Sequence, residues 1–142
     1  MTKSIVSLDD KYVQPGGHVF MSAIQALVRL PLDQARRDRA AGLTTAGFIS
    51  GYRGSPLGTF DAALWNAQKL LESHDIEFLP ALNEELAASS VRGTQELNWL
   101  GKSQKQGIFA LWYGKGVGTD RAMEALKLGN LEGASAQGGV LV

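Results

Sequence analysis

Apolar residues near the amino terminus recur at the spacing of one face of a helix. The recurring positions are Phe20, Ile24, Leu27, Val28, Leu32 and Ala35. This spacing predicts one long amphipathic helix. Proline lacks the N–H that an inner helical position needs, so we expect Pro31 to bend or break the helix, and we expect Gly42 to end it.

Farther along the chain, apolar residues fall in short runs that are typical of buried strands. Residues 45–50, 76–79 and 107–112 form three such runs, and a fourth begins near Gly138. Helical patterns separate them at about 59–74, from Glu84 to about Trp99, and from Asp120 to about Lys127. Strands that alternate with helices predict an α/β fold, with an open, mainly parallel sheet and flanking helices.

A length of 142 residues suits one domain and is too short for two. The predicted domain has an amino-terminal segment with the long helix, residues 1–43, and a core of alternating strands and helices, residues 44–142. The last residues, 138–142, indicate the start of a buried strand. We therefore expect the domain to be incomplete at its carboxyl end, although a short edge strand that ends at Val142 fits the same residues.

Charge and cysteine content narrow the functional classes. Lysine and arginine number 14, as do aspartate and glutamate, and the densest cluster, residues 36–39, mixes both signs. Nucleic acid and anionic membranes are therefore not expected partners. The chain has no cysteine and its two histidines form no ligand spacing, so no iron–sulfur or zinc site is expected within it. The sequence has no signal-peptide pattern and no apolar segment of membrane-spanning length, which favours a cytoplasmic protein.

Three connections that could carry chemistry each follow a predicted strand: the loop 51–58, the corner Asn83-Glu84 and the loop 114–118. In a parallel sheet all three emerge at the carboxyl edge of the strands, where open α/β folds bind ligands. Glycine-rich loops are also ordinary connections between strands and helices, so each loop alone has a purely structural interpretation. Their shared location is what points to a binding site.

Glu84 and Glu85 place acid at the start of a predicted helix beside this edge. A carboxyl group buried in the crevice could take part in proton transfer. The helix dipole favours acids in any first turn, however, and Asn83 is a good N-cap, so both residues could serve only the helix. Position alone favours this structural role for Glu85 and leaves Glu84 open.

The two glycine-rich loops contain further polar candidates. The glycines between 114 and 118 match neither the dinucleotide fingerprint nor the phosphate-binding loop, so Lys115 is either an anion contact or a solvated surface residue. Ser55 has no nearby histidine base and no nucleophile elbow, which favours a hydrogen-bonding role. Arg53 could bind a carboxylate through its forked donors, and an ion pair with Asp61 is equally consistent with the sequence.

Four motifs, in order along the chain, resemble the amino-terminal region of the indolepyruvate ferredoxin oxidoreductases. They are QALVRLP at residues 25–31, SGYRGSPLG at 50–58, NEELAA at 83–88 and WYGKG at 112–116. The resemblance covers nearly the whole chain and is to the long, fused bacterial form of that enzyme. It is far more specific than a single glycine pattern.

This resemblance implies a pyrimidine-binding domain of the thiamine diphosphate enzymes. Members of the family oxidatively decarboxylate aryl 2-oxo acids to acyl-CoA and pass electrons through 4Fe-4S clusters to ferredoxin. In related oxidoreductases the essential glutamate lies nine positions before a helical glycine, which selects Glu84 with Gly93 and leaves out Glu85. Glu84 would bond the pyrimidine ring nitrogen and favour the imino form that removes the thiazolium proton, a task for a carboxyl group that keeps or shares its proton.

The same resemblance assigns further residues to the site. Gly54, Ser55 and Pro56 occupy the loop that approaches the pyrimidine and the substrate. Arg53 and Lys115 are weaker candidates to orient a substrate carboxylate. No residue of this chain is expected to bind the metal ion.

The family's remaining parts are not contained in this sequence. The magnesium ion (Mg2+) with the diphosphate, and the cluster-binding cysteines, belong to other domains in that family. We therefore expect this chain to be inactive alone, to need carboxyl-terminal domains or a partner subunit, and to form an oligomer. Two alternatives stay open: a non-catalytic α/β module for interaction or cofactor sensing, and a different thiamine-dependent 2-oxo acid enzyme.

Overall fold

Four parallel strands form one open sheet with helices on both faces, in the part of the chain that the computed structural model describes: residues 7–54, 57–97, 99–101 and 103–142. The helices are α1 (Asp10–Val13), α2 (Ala23–Ala40), α3 (Gly58–Asn66), α4 (Gln68–Glu72), α5 (Glu84–Gln95) and α6 (Gly116–Glu132). The strands are β1 (Thr45–Gly51), β2 (Ile76–Phe78), β3 (Gly107–Tyr113) and β4 (Gly139–Leu141). The strand order is β2-β1-β3-β4 and each neighbouring pair is parallel, which confirms the predicted open α/β fold.

Alternate residues of the central strands contribute to two separate apolar cores. Leu111 and Tyr113 of β3 pack on the first face with α1 to α4. Ala110 and Trp112 pack on the second face with α5 and α6. A strand buried on both faces has a nearly continuous apolar sequence, which explains why residues 107–113 show no polar alternation.

The order of the strands changes direction between β1 and β3. From β1 the chain moves outward to β2 through α3 and α4, and it then crosses back to β3 through α5 on the opposite face. The helices that follow the adjacent strands β1 and β3 lie on different faces, α3 on the first and α6 on the second, so the carboxyl ends of these two strands form a topological switch point. Open α/β sheets bind their ligands at such a topological switch point.

The long amino-terminal helix starts later than predicted, and it is not broken at its proline. Phe20 is fully exposed and precedes α2. A capping box begins the helix, because Gln25 N donates to Ser22 Oγ at 3.3 Å and Ser22 N donates to Gln25 Oε1 at 2.9 Å. Helix α2 continues unbroken through Pro31, which is buried. Packing of α2 on the first face therefore outweighs the hydrogen bond that the proline cannot make.

Other helix bounds were predicted less well than the strands. Helix α6 begins four residues before Asp120, because the glycines at 116 and 118 form its first turn and not a loop. It ends five residues after Lys127. Helix α5 ends four residues before Trp99, and the predicted helix 59–74 is divided at Ala67. The strand bounds agree with the predictions to within one residue.

Candidate functional site

Glu84 is the first residue of α5 and lies at the carboxyl edge of the sheet. The residue is only 4 % exposed, whereas its neighbour Glu85 faces solvent. Asn83 caps the helix, because its Oδ1 accepts a hydrogen bond from Leu86 N at 2.8 Å. The two adjacent acids therefore differ: Glu85 occupies an ordinary first-turn position in solvent, and the Glu84 side chain is directed into the protein.

Two neighbouring elements hold Glu84 in place. Trp112 of β3 donates a hydrogen bond from Nε1 to the main-chain oxygen of Glu84 at 3.1 Å, in a buried position. Gly118 of α6 lies so close to the side chain that a Cβ there would be 2.5 Å from Glu84 Cγ and 2.7 Å from Oε1. At position 118, only glycine leaves the acid undisturbed.

The Glu84 carboxylate itself is weakly paired. Arg121 Nη1 lies 3.8 Å from Oε2, which is beyond hydrogen-bond distance, and the Arg121 side chain is 63 % exposed. No residue that the structure describes donates a hydrogen bond to either carboxylate oxygen. A buried carboxyl group with open hydrogen-bonding positions is suited to a polar atom of a ligand.

Large apolar side chains are exposed at positions near Glu84 and Gly118 in the sequence. Leu82 and Leu86 lie on either side of the acid along the chain, and Val117 precedes Gly118. We call Leu82, Leu86 and Val117 the apolar rim. All three are exposed, and each lies within two positions of Glu84 or directly before Gly118, which packs on Glu84.

A second buried acid, Asp61 of α3, lies at the same edge but on the first face of the sheet. Tyr113, at the end of β3, donates its hydroxyl hydrogen to Asp61 Oδ1. Burial of the ring, together with this bond, raises the pKa of Tyr113 well above its ordinary value. Asp61 Oδ2 accepts no hydrogen bond from the described residues, and Arg53 Nε lies 3.9 Å from it. Of the two roles that the sequence leaves open for Arg53, the structure thus shows the approach to Asp61.

The connections after β1, β2 and β3 meet at one edge of the sheet, as predicted. Gly51 is paired in register with Tyr113, and a parallel bridge joins Tyr52 to Ala81 just before the Glu84 corner. Arg53, Glu84 and the start of α6 therefore emerge from neighbouring strand ends.

The remaining predicted site residues occupy this edge as follows. Gly54 packs against Tyr52, since a Cβ on Gly54 would lie 2.6 Å from the tyrosine ring. Lys115 is the N-cap residue of α6 and is exposed. Ser55-Pro56 lies outside the described residues.

Among the residues that the structure describes, no group of three or more His, Cys, Asp or Glu side chains is placed to hold a metal ion. Over the same part of the chain, no helix is both long enough and apolar enough to cross a bilayer.

Sequence reasoning missed the contacts that join distant elements. Tyr113 and Asp61 are 52 positions apart, and neither residue stands in a recognisable motif with the other. Gly118 carried no usable signal, because a glycine in a predicted loop is ordinary and its contact with Glu84 joins two distant elements. The proximity of Arg121 to Glu84 had no sequence signal either.

Comparisons with known proteins gave no match, either in a scan against protein-family models or in searches of the curated proteins and of the solved structures. The resemblance of the four motifs to the indolepyruvate ferredoxin oxidoreductases therefore stays a prediction.

Proposed function

We propose that this chain is the pyrimidine-binding domain of a thiamine-diphosphate-dependent 2-oxo acid:ferredoxin oxidoreductase of the indolepyruvate type. One observation carries the proposal: the carboxyl group of Glu84 is buried at the switch point of a parallel sheet, with open hydrogen-bonding positions. The four ordered motifs add the reaction class. In that reaction an aryl 2-oxo acid is oxidatively decarboxylated to an acyl-CoA, and the electrons pass to ferredoxin.

The surroundings of Glu84 fit the pyrimidine end of thiamine diphosphate. One carboxyl oxygen is available to bond a ring nitrogen, because no described residue already donates to it. The apolar rim offers the kind of surface that a flat heteroaromatic ring contacts. Ala87 and Ala88 are small and buried, so α5 lies close to the sheet and to α6. Gly93, the helical glycine of the family pattern, has open space where a Cβ would lie.

Thiamine diphosphate, when bound, supplies the carbanion chemistry of the decarboxylation. Glu84 would bond the pyrimidine ring nitrogen through one carboxyl oxygen. Gly118 and Trp112 keep the side chain and the main chain of Glu84 in place for this bond. The exposed Arg121 would pair with the carboxylate when no ring is present, and would move into solvent when a ring is bound.

Other parts of the proposed site come from neighbouring loops and from outside this chain. Ser55-Pro56 would approach the pyrimidine, and Arg53 and Lys115 would orient the substrate carboxylate. Carboxyl-terminal domains or a partner subunit would bind Mg2+ with the diphosphate, the 4Fe-4S clusters, CoA and ferredoxin. Strand β4 lies at an open edge of the sheet with Val140 and Leu141 exposed, so a further domain could join there.

Substitution of Glu84 in the complete enzyme, this chain together with those domains or that partner, tests the proposal. With phenylpyruvate as substrate, Glu84→Gln and Glu84→Ala should lower ferredoxin reduction by about 10²–10⁴-fold, the usual contribution of a positioned proton-transfer group. Glu85→Gln is the matched control, since Glu85 is adjacent but exposed, and it should keep wild-type activity. Undiminished activity in both Glu84 variants would show that this carboxyl group takes no part in the reaction.

A further inference from the structure

Asp61 is a buried acid that the proposed reaction does not use. The residue is 4 % exposed and lies at the carboxyl edge of the sheet, on the face opposite to Glu84. Its Oδ1 accepts the Tyr113 hydroxyl, but its Oδ2 is buried and has no hydrogen bond among the described residues. An unpaired buried carboxylate oxygen costs free energy, so this atom calls for a donor.

Tyr113 fixes the direction of the free oxygen. The tyrosine ring packs over Gly51, where a Cβ would come within 2.5 Å of the ring, and it meets Phe60 edge-on with the ring centroids 5.1 Å apart. These contacts hold the tyrosine hydroxyl in place. Asp61 cannot turn Oδ2 away without losing its bond to Tyr113, so Oδ2 is a fixed acceptor.

Arg53 supplies a nearby donor. Its Nε lies 3.9 Å from Asp61 Oδ2, about 1 Å beyond a normal hydrogen bond, and its side chain is 76 % exposed. A small side-chain movement would let Nε–H donate to Oδ2. The Nη groups would then remain in solvent at the carboxyl edge of the sheet. A guanidinium that donates to one acid along one edge can still bind another carboxylate along the other.

We propose that Asp61 is a positioning residue for Arg53, and that Arg53, held in this way, binds the carboxylate of a 2-oxo acid through its Nη groups. This inference rests on the proposed 2-oxo acid function and names the pair that would orient its substrate. Tyr113 acts in the same arrangement because its hydroxyl holds Asp61. Asp61 itself transfers no proton and touches no substrate in this role.

NMR of the isotope-labelled chain tests the inference without the cofactor. The signals to follow are the Arg53 Nε–H group and the Gly54 amide during titration with phenylpyruvate. Phenylacetone has the same ring and ketone but no carboxylate, and is the ligand control. We expect a saturable shift with phenylpyruvate, with a dissociation constant of about 1–10 mM for one ion pair in an open site, and no shift with phenylacetone.

Substitutions separate positioning from folding. Asp61→Asn keeps the size of the side chain and an oxygen for Tyr113, but it places an N–H donor where Oδ2 was, opposite the donor of Arg53. Asp61→Asn should weaken phenylpyruvate binding about tenfold, because Arg53 loses the acceptor that holds it. The melting temperature should not fall, because a neutral amide is less costly to bury than an unpaired carboxylate. Glu72→Gln, on an exposed acid of α4, is the matched control and should bind as the wild type does.

A second variant leaves Asp61 itself unsubstituted. Arg53→Lys keeps the charge of an exposed side chain but lacks the forked donors, so it should also weaken binding about tenfold. In the complete enzyme, Asp61→Asn should raise the KM for phenylpyruvate about tenfold and leave kcat within about twofold, a split that a merely structural defect does not produce.

Each outcome decides a separate point. Wild-type binding by Asp61→Asn overturns the positioning role, and wild-type binding by Arg53→Lys overturns binding through the guanidinium fork. The absence of a saturable phenylpyruvate shift in the wild type, or an equal shift with phenylacetone, overturns the carboxylate site. The titration involves neither cofactor nor turnover, so failure at Arg53 is distinguishable from failure of the proposed role of Glu84, which the activity of the Glu84 variants tests.

Discussion

Gly118→Ala is the sharpest test of how Glu84 is packed. The new methyl group would lie 2.5 Å from Glu84 Cγ and 2.7 Å from Oε1, well inside van der Waals contact. The buried Glu84 side chain would therefore have to move away from α6. Gly116→Ala, in the same helical turn, is the matched control, because a Cβ there meets no atom within 4 Å.

The size of the effect follows from two opposing contributions. Alanine favours the helix over glycine by up to about 1 kcal/mol. Overpacking a filled site costs about 1–3 kcal/mol, so Gly118→Ala should lower the free energy of unfolding by roughly 0–3 kcal/mol. In a Glu84→Ala background the crowded atoms are gone, and the same substitution should stabilise the chain by up to about 1 kcal/mol. The coupling free energy between the two positions is then about 1–3 kcal/mol.

Urea unfolding of the wild type, both single variants and the double variant measures this coupling. Gly116→Ala should change the free energy of unfolding by the same amount whether residue 84 is glutamate or alanine. If Gly118→Ala changes stability equally in both backgrounds, Gly118 does not pack on Glu84 as the structure shows. In the complete enzyme, Gly118→Ala should also lower activity, because it displaces the carboxyl group that the proposed function requires.

Two further predictions concern titrating groups. Tyr113→Phe should lower the free energy of unfolding at neutral pH by about 1–3 kcal/mol, because Asp61 loses its donor. Since burial and this bond raise the pKa of Tyr113, wild-type stability should also fall above about pH 10, and urea unfolding of the variant should lack that part of the decline. The hydrogen bond from Lys105 lowers the pKa of Asp75 in the folded chain. The ionised Asp75 therefore stabilises the fold above pH 3.8, and this stabilisation is lost as the pH falls through the lowered pKa of the folded state. Asp75→Asn should therefore lower the free energy of unfolding by roughly a few tenths of a kcal/mol or less at neutral pH, because the pair is exposed. Near pH 2 the substitution should have no effect, and an equal loss of stability there would contradict this account.

The strands could be predicted from the sequence because their apolar runs are short and end near turn residues. Alternation of these runs with helical patterns was enough for the parallel α/β arrangement. The start of α6 could not be predicted in the same way, since Gly116 and Gly118 both have low helix propensity. The reason for Gly118 lies in a tertiary contact with Glu84, which no local pattern contains.

The location of the candidate site could also be predicted, but its internal contacts could not. Parallel strands bring their carboxyl ends together, so the three connections had to share an edge. Glu84 and Glu85 are equally favourable to a helix dipole, and only the packing of α5 on the sheet shows that one is buried and the other exposed. The bond from Tyr113 to Asp61 depends on the register of β3 beside β1, which the sequence does not encode locally.

The two buried acids at the switch point are alike in their charged partners and differ in how they are held. Each has an exposed arginine just beyond hydrogen-bond distance, Arg121 at 3.8 Å from Glu84 and Arg53 at 3.9 Å from Asp61. Tyr113 fixes one oxygen of Asp61, whereas no described residue donates a hydrogen bond to the Glu84 carboxylate. An acid fixed by a neighbour can in turn hold an arginine in one direction. An acid held only by packing can offer either oxygen to a ligand, and this difference supports the proposed proton chemistry of Glu84 and the proposed carboxylate binding by Arg53.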